Sequence, residues 1–175
     1  AHSTLGAALL YAGQLARAME ELDTALMLSP QRYHTRFLKG MALMLQGKPA
    51  AALTVFNDEP DETFRAHGQA IANFDLGRVD EYEEAFERLV EHEKDAYSSE
   101  IALVCAWVGD ADCAFHWMEK EWARDGSSGW AQFPTNPHLE RIEDDPRWLP
   151  FLRKVGIAPE QLAEIRFEVD AVPGS

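Results

Sequence analysis

LGAALLYAGQLARAMEELDTALMLSP, from Leu5 to Pro30, spells out a helical hairpin. An apolar helix pattern with Gly6 inside it runs up to Gly13, where glycine ends it. A second pattern follows with Ala18, Leu22 and Ala25 on one face, and Pro30 closes the unit. Helix, glycine turn, helix, proline is a unit that cannot bury its apolar face alone. Recurrence of such a unit therefore predicts an all-α stack of hairpins.

It does recur. The turn glycines are Gly13, Gly47, Gly77 and Gly109, each followed by a polar residue, Gln14, Lys48, Arg78 and Asp110. Seven positions before each glycine stands Gly6, Gly40, Ala70 or Ala102. Five after it come Ala18, Ala52, Tyr82 and Ala114, and nine after it Leu22, Phe56, Phe86 and Met118. Small residues at the first two sites let antiparallel helices approach, and a large apolar residue at the third fills the gap to the next unit. The glycine supplies a left-handed backbone at no steric cost.

This pattern resembles the tetratricopeptide repeat family, most closely from Leu5-Gly6 through Ala18, Leu22, Ala25 and Pro30. The resemblance covers residues 1–125 in units of about 1–30, 31–60, 61–94 and 95–125. It implies a right-handed α-α superhelix of four hairpins. Two departures stand out. Asn57-Asp58-Glu59-Pro60 cuts the second unit short, with Asn57 or Asp58 expected to cap the next helix and Pro60 in its first turn. Tyr82 replaces the usual alanine, so the third hairpin is expected to splay around a phenol ring.

Beyond Arg124 the period fails. Residues 126–170 read as a loop and capping helices, and 171–175 as a frayed tail. Asn136 and Asp145 each precede a proline as caps. Leu139 with Ile142, and Trp148 with Phe151, Leu152 and Val155, form two short amphipathic helices, and Ala158 to Val169 reads as a last one. The segment is similar to the closing module of bacterial tetratricopeptide arrays, which implies the C-terminal part of a larger regulatory protein. With Trp130, Phe133, Leu139, Trp148 and Phe151 as anchors, residues 130–155 are expected to fold back on the fourth hairpin and into the groove near Trp107.

The 175 residues include 30 acidic and 16 basic ones, a net charge of −14, which argues against nucleic acid or an anionic membrane as partner. No apolar run is long enough to span a membrane. Cys105 and Cys113, the only two cysteines, read as small buried thiols, which makes the reducing cytoplasm the expected location. The six histidines show no His-Glu-x-x-His spacing. His34 and His67, on first helices of successive units, are better read as polar groove residues than as a metal pair. Gly126-Ser-Ser-Gly129 lacks the Lys-Ser/Thr of a phosphate loop, and Glu143-Asp144-Asp145 reads as a cap with solvated acids. The expectation is no enzyme, no cofactor and no metal.

The resemblance implies one binding surface, the concave face lined by first helices. On this chain it falls on Tyr11 in the first unit and on His34, Phe37, Met41 and Met44 in the second. In the third and fourth units it falls on His67, Ile71, Phe74 and Trp107. Aromatics and methionines suit an amphipathic helix. The expected function is a noncatalytic protein-interaction or regulatory module with a protein or peptide partner. The alternatives are a homodimerisation or spacer module and, behind it, a small-ligand sensor.

Overall fold

The computed structural model describes residues 1–93, 98–126 and 136–165 and, among them, only helices. They are α1 (His2–Tyr11), α2 (Leu15–Leu28), α3 (Thr35–Leu45), α4 (Pro49–Asn57), α5 (Glu62–Asp75), α6 (Val79–Glu93), α7 (Ser98–Val108) and α8 (Ala111–Asp125). A 3₁₀ helix (Pro137–Ile142), α9 (Trp148–Val155) and α10 (Pro159–Ala163) follow. Trp130, Phe133, the loop 127–129 and everything after Ile165 lie outside the described residues.

Each hairpin turns where a glycine was expected to turn it. Gly13, Gly47, Gly77 and Gly109 have φ of 71°, 70°, 70° and 82°. At all four, the glycine N–H donates to the carbonyl three residues back, and the next N–H donates to the carbonyl five back, as Gln14 to Leu9 (2.8 Å). That pair of bonds satisfies the carbonyls left over at the helix end. The local rule therefore operates four times over. Consecutive helices pack as α1–α2, α3–α4, α5–α6 and α7–α8, and each second helix also packs on the next first helix. The first helices α1, α3, α5 and α7 neighbour one another in that order, and one apolar core runs through all of them.

Phe56 of α4 shows how tightly the units engage. It is fully buried, and a Cβ added to Gly40 or to Gly68 would lie 2.2 Å from its ring. Gly40 belongs to the same hairpin and Gly68 to the next, so one ring fills a slot cut into two units.

The structure corrects three details. Tyr82 does not splay the third hairpin. Helix α6 is turned so that Ala85 and Leu89 fill the seam, while Tyr82 moves to a half-buried position against Phe74 and Phe86. The cap of α5 is Asp61, whose carboxylate accepts from the Phe64 N–H at 3.2 Å, with Pro60 before it rather than inside the helix. Asn57 ends α4 instead, because four residues are needed to carry the chain across to α5. Finally, Cys105 and Cys113 are not thiols but a disulfide joining α7 to α8 around Gly109, with Cα atoms 5.6 Å apart. Eight residues around a tight turn place two antiparallel positions opposite one another. Bonded cysteines no longer argue for a reducing compartment. Among the described residues, no helix is long and apolar enough to cross a membrane.

The tail folds back. Asn136 caps the 3₁₀ helix, accepting from the His138 N–H at 3.1 Å, and Asp145 holds the Arg147 N–H at 2.9 Å just before α9. The guanidinium of Arg147, bonded to that carboxylate, lowers the pKa of Asp145 to about 2. Trp148, Phe151 and Leu152 are buried, and the Phe151 ring meets Phe115 of α8 edge-on at 6.1 Å. The first tail helix is 3₁₀ rather than α, and its apolar pair, Leu139 and Ile142, is buried. α10 ends at Ala163, short of the expected helix to Val169.

Candidate functional site

The face shared by α1, α3, α5 and α7 carries part of the expected groove, and the chain's own tail lies on part of it. Phe37 and Trp107 are buried, His67 is completely so, and His138 of the 3₁₀ helix sits among all three. Ring centroids lie 6.5 Å apart for His138 and Phe37, 4.9 Å for His138 and His67, and 5.3 Å for His138 and Trp107. The 3₁₀ helix is docked on α7, which brings Leu139 and Ile142 into the core.

Arg141 clamps the other side of this seat. Its Nη1 donates to the Trp107 carbonyl at 2.6 Å and its Nη2 to Asp75 Oδ1 at 3.3 Å, the same oxygen that accepts from Trp107 Nε1 at 3.2 Å. The guanidinium also lies 5.4 Å above the Trp107 ring, a cation–π contact.

Inside the seat is a buried polar chain. His67 Nδ1 is 2.7 Å from Glu100 Oε2, His67 Nε2 is 3.0 Å from His138 Nε2, and His138 Nδ1 is 2.8 Å from Asn136 Oδ1. The positions of the protons follow from the partners. Asn136 Oδ1 also accepts the His138 backbone N–H, so it cannot be exchanged for the amide nitrogen, and His138 Nδ1 must donate to it. Burial, and then the neighbouring His67, holds the pKa of His138 well below the ordinary imidazole range, so its ring carries that one proton. Its Nε2 is then an acceptor. His67 bridges the two ends of the chain, with its Nε2 toward His138 and its Nδ1 toward the Glu100 carboxylate.

A second buried carboxylate holds the edge of the face. Glu59, on the link between α4 and α5, accepts from the backbone N–H groups of His34 and Phe37, both at 3.0 Å, and of Asp61 at 3.2 Å. It caps α3, which has no local side-chain cap, from 22 residues away. His34 adopts a left-handed backbone, φ 66°, an unusual state for a side chain with a Cβ, and its N–H bond to Glu59 holds it there. Its ring lies 4.3 Å from Phe64, and burial lowers its pKa against the opposing pull of Glu100 and Glu59. Tyr11 is half-buried, its phenol pKa raised by burial and then by Glu100.

Against these positions the nine expected groove residues divide. His67, Phe37 and Trp107 converge around His138. Met41, Met44 and Ile71 are buried in the core rather than presented to a partner, because the hairpins pack closely enough to enclose them. His34, Tyr11 and Phe74 stand at the margins, Phe74 being the one exposed member at 37%. His34 and His67 do not pair, and among the described residues no three His, Cys, Asp or Glu side chains form a group that could hold a metal.

No model of a known protein family matches this chain, and no curated protein matches it.

Glu59, Glu100, Asn136, His138 and Arg141 also belong to this face, and no sequence signal marks them as its members. Asn136-Pro137-His138 signalled a helix start, and nothing in it marked the imidazole as the piece that would be buried.

Proposed function

We propose that the chain is a tetratricopeptide-type helical repeat working as a noncatalytic interaction module, with the first-helix face as its working surface. The observation that carries this reading is the seat itself. Phe37, His67, Trp107 and Asp75 receive a six-residue helix with one buried imidazole, two buried aliphatic side chains and one clamped arginine. A surface that engages its own tail in this way is suited to a short peptide of the same chemistry, and the tail then acts as a built-in competitor.

The test uses a fluorescein-labelled peptide, Asn-Pro-His-Leu-Glu-Arg-Ile, matching residues 136–142, with the full chain. In a variant carrying His138→Ala and Arg141→Ala, the tail loses its hold and the peptide is expected to bind. Binding to the unaltered chain is expected to be at least about tenfold weaker, since only the fraction with a vacant seat is competent. A variant that keeps its helical circular dichroism and still ignores the peptide would sink the reading.

Self-association is a second reading, favoured by one observation. Met27 and Leu28 at the end of α2 and Tyr33 just beyond it are exposed at 75%, 68% and 66%. Apolar exposure of that kind belongs to interfaces. A dimeric mass in solution that becomes monomeric on Met27→Glu would support it, and a monomeric starting mass would exclude it.

A further inference from the structure

We propose that Phe74, Asp75 and Trp107 form an arginine-reading subsite, so that the seat accepts a short segment written His-apolar-x-Arg-apolar and rejects its lysine form.

The register comes from the tail. A 3₁₀ helix has three residues per turn, so positions three apart lie on one row. In Pro137–Ile142 one row is His138 and Arg141, and both side chains meet the Trp107 ring. The next row is Leu139 and Ile142, which are buried in the core. The third row is Pro137 and Glu140, and Glu140 is exposed. Only the first row carries polar recognition.

Two helix ends make the arginine subsite. Asp75 is the last residue of α5, and Trp107 is the last but one of α7. The Trp107 carbonyl is left over at its helix end, because the N–H groups of Gly109, Asp110 and Ala111 donate to Ala106, Cys105 and Gly109. Leftover carbonyls and the negative end of a helix both favour a cation there. Arg141 supplies it, with Nη1 on the Trp107 carbonyl at 2.6 Å and Nη2 on Asp75 Oδ1 at 3.3 Å. Among the described residues no other cation bonds to Asp75.

Two rings complete the corner. The central carbon of the guanidinium lies 5.4 Å from the Trp107 centroid and 5.8 Å from that of Phe74. Trp107 is held by its Nε1 bond to Asp75, and Phe74 by an edge contact with Tyr82 at 5.6 Å. Two separate acceptors beside two π faces suit a planar, forked cation. An ammonium is a compact, strongly hydrated point charge with no plane to lay on the rings. The net charge of −14 likewise favours a basic partner. For a partner peptide this selectivity rests on the groove reading given above, yet the two fail separately, because the chain's own tail carries the same selectivity.

The experiment has two arms. In the first, the His138→Ala, Arg141→Ala variant is titrated with the fluorescein-labelled peptide matching residues 136–142, and with versions carrying lysine or alanine in place of its arginine. The arginine form is expected to bind about tenfold more tightly than the lysine form, which loses a charge-assisted bond and the ring contacts. Adding Asp75→Asn keeps an oxygen for Trp107 Nε1 but removes the charge. It should bring the ratio to about twofold or less and leave the alanine form's affinity unchanged. In the second arm, Arg141→Lys in the otherwise unaltered chain is expected to lower protection of the Leu139 amide about tenfold at neutral pH, with α2 amides as the internal control. Arginine and lysine peptides that bind equally overturn the subsite, as does a ratio that survives Asp75→Asn. A Leu139 amide equally protected in the parent and Arg141→Lys overturns it too. Binding of no peptide at all sinks the groove reading, and the second arm then decides the arginine subsite by itself.

Discussion

Phe56→Ala is expected to lower the unfolding free energy by about 3–5 kcal/mol, the usual range for emptying a buried aromatic site. Little relaxation is available to shrink the cavity. The ring is fully buried, and two walls of its slot are the helix backbones at Gly40 and Gly68, which carry no side chain to swing inward. The effect also crosses units, because Gly68 belongs to the hairpin after the one that owns Phe56. Gly40→Ala supplies the reciprocal measurement. In the parent its new Cβ would press on the ring at 2.2 Å and overpack the contact. In the Phe56→Ala background the same methyl has room and gains the helix preference of alanine over glycine, on the order of 1 kcal/mol. A double-mutant cycle by urea denaturation should therefore show strong coupling. Additive effects would mean that the ring does not sit between the two glycines.

The second large effect is expected at Glu59. Glu59→Leu removes the acceptor of three backbone N–H groups at the start of α3 and before α5. Leaving such donors unpaired where water has little access costs on the order of 3 kcal/mol or more. Glu59→Gln keeps one oxygen and should cost less, because one donor then meets an amide NH₂ instead of an acceptor. The loss has a local signature too. His34 holds its left-handed backbone through the bond to Glu59, so amide exchange at His34 and Phe37 should quicken in Glu59→Gln well before α2 is affected. Equal midpoints in urea for the parent and Glu59→Leu would show that the carboxylate does not cap α3.

Much of this architecture was legible residue by residue. The four glycines, the small residues seven before and five after them, and the apolar residue nine after them act over one or two helical turns. A left-handed glycine ends a helix whatever lies elsewhere in the chain. The Asn136 cap is equally local. What made Ala18, Ala52 and Ala114 readable as seam positions is that the seam repeats; where it shifts, at Tyr82, the seam passed to Ala85 and Leu89, because two smaller residues on the adjacent stripe pack more closely than a phenol.

The amino-acid sequence by itself determined the helical hairpins, their turns and the fact that the tail must cover apolar surface. Only the tertiary structure decided which carboxylate caps α3, that the two cysteines bond, and which histidine enters the groove. His67 and His138 are 71 residues apart, Glu100 and His67 33, and Glu59 and Phe37 22. At such separations nothing in the local chain marks a partner. The choice depends on where whole helices come to rest. A polar side chain on a helix face looks the same in sequence whether it ends in water or in a buried chain of hydrogen bonds, and the stacking of the hairpins settles which.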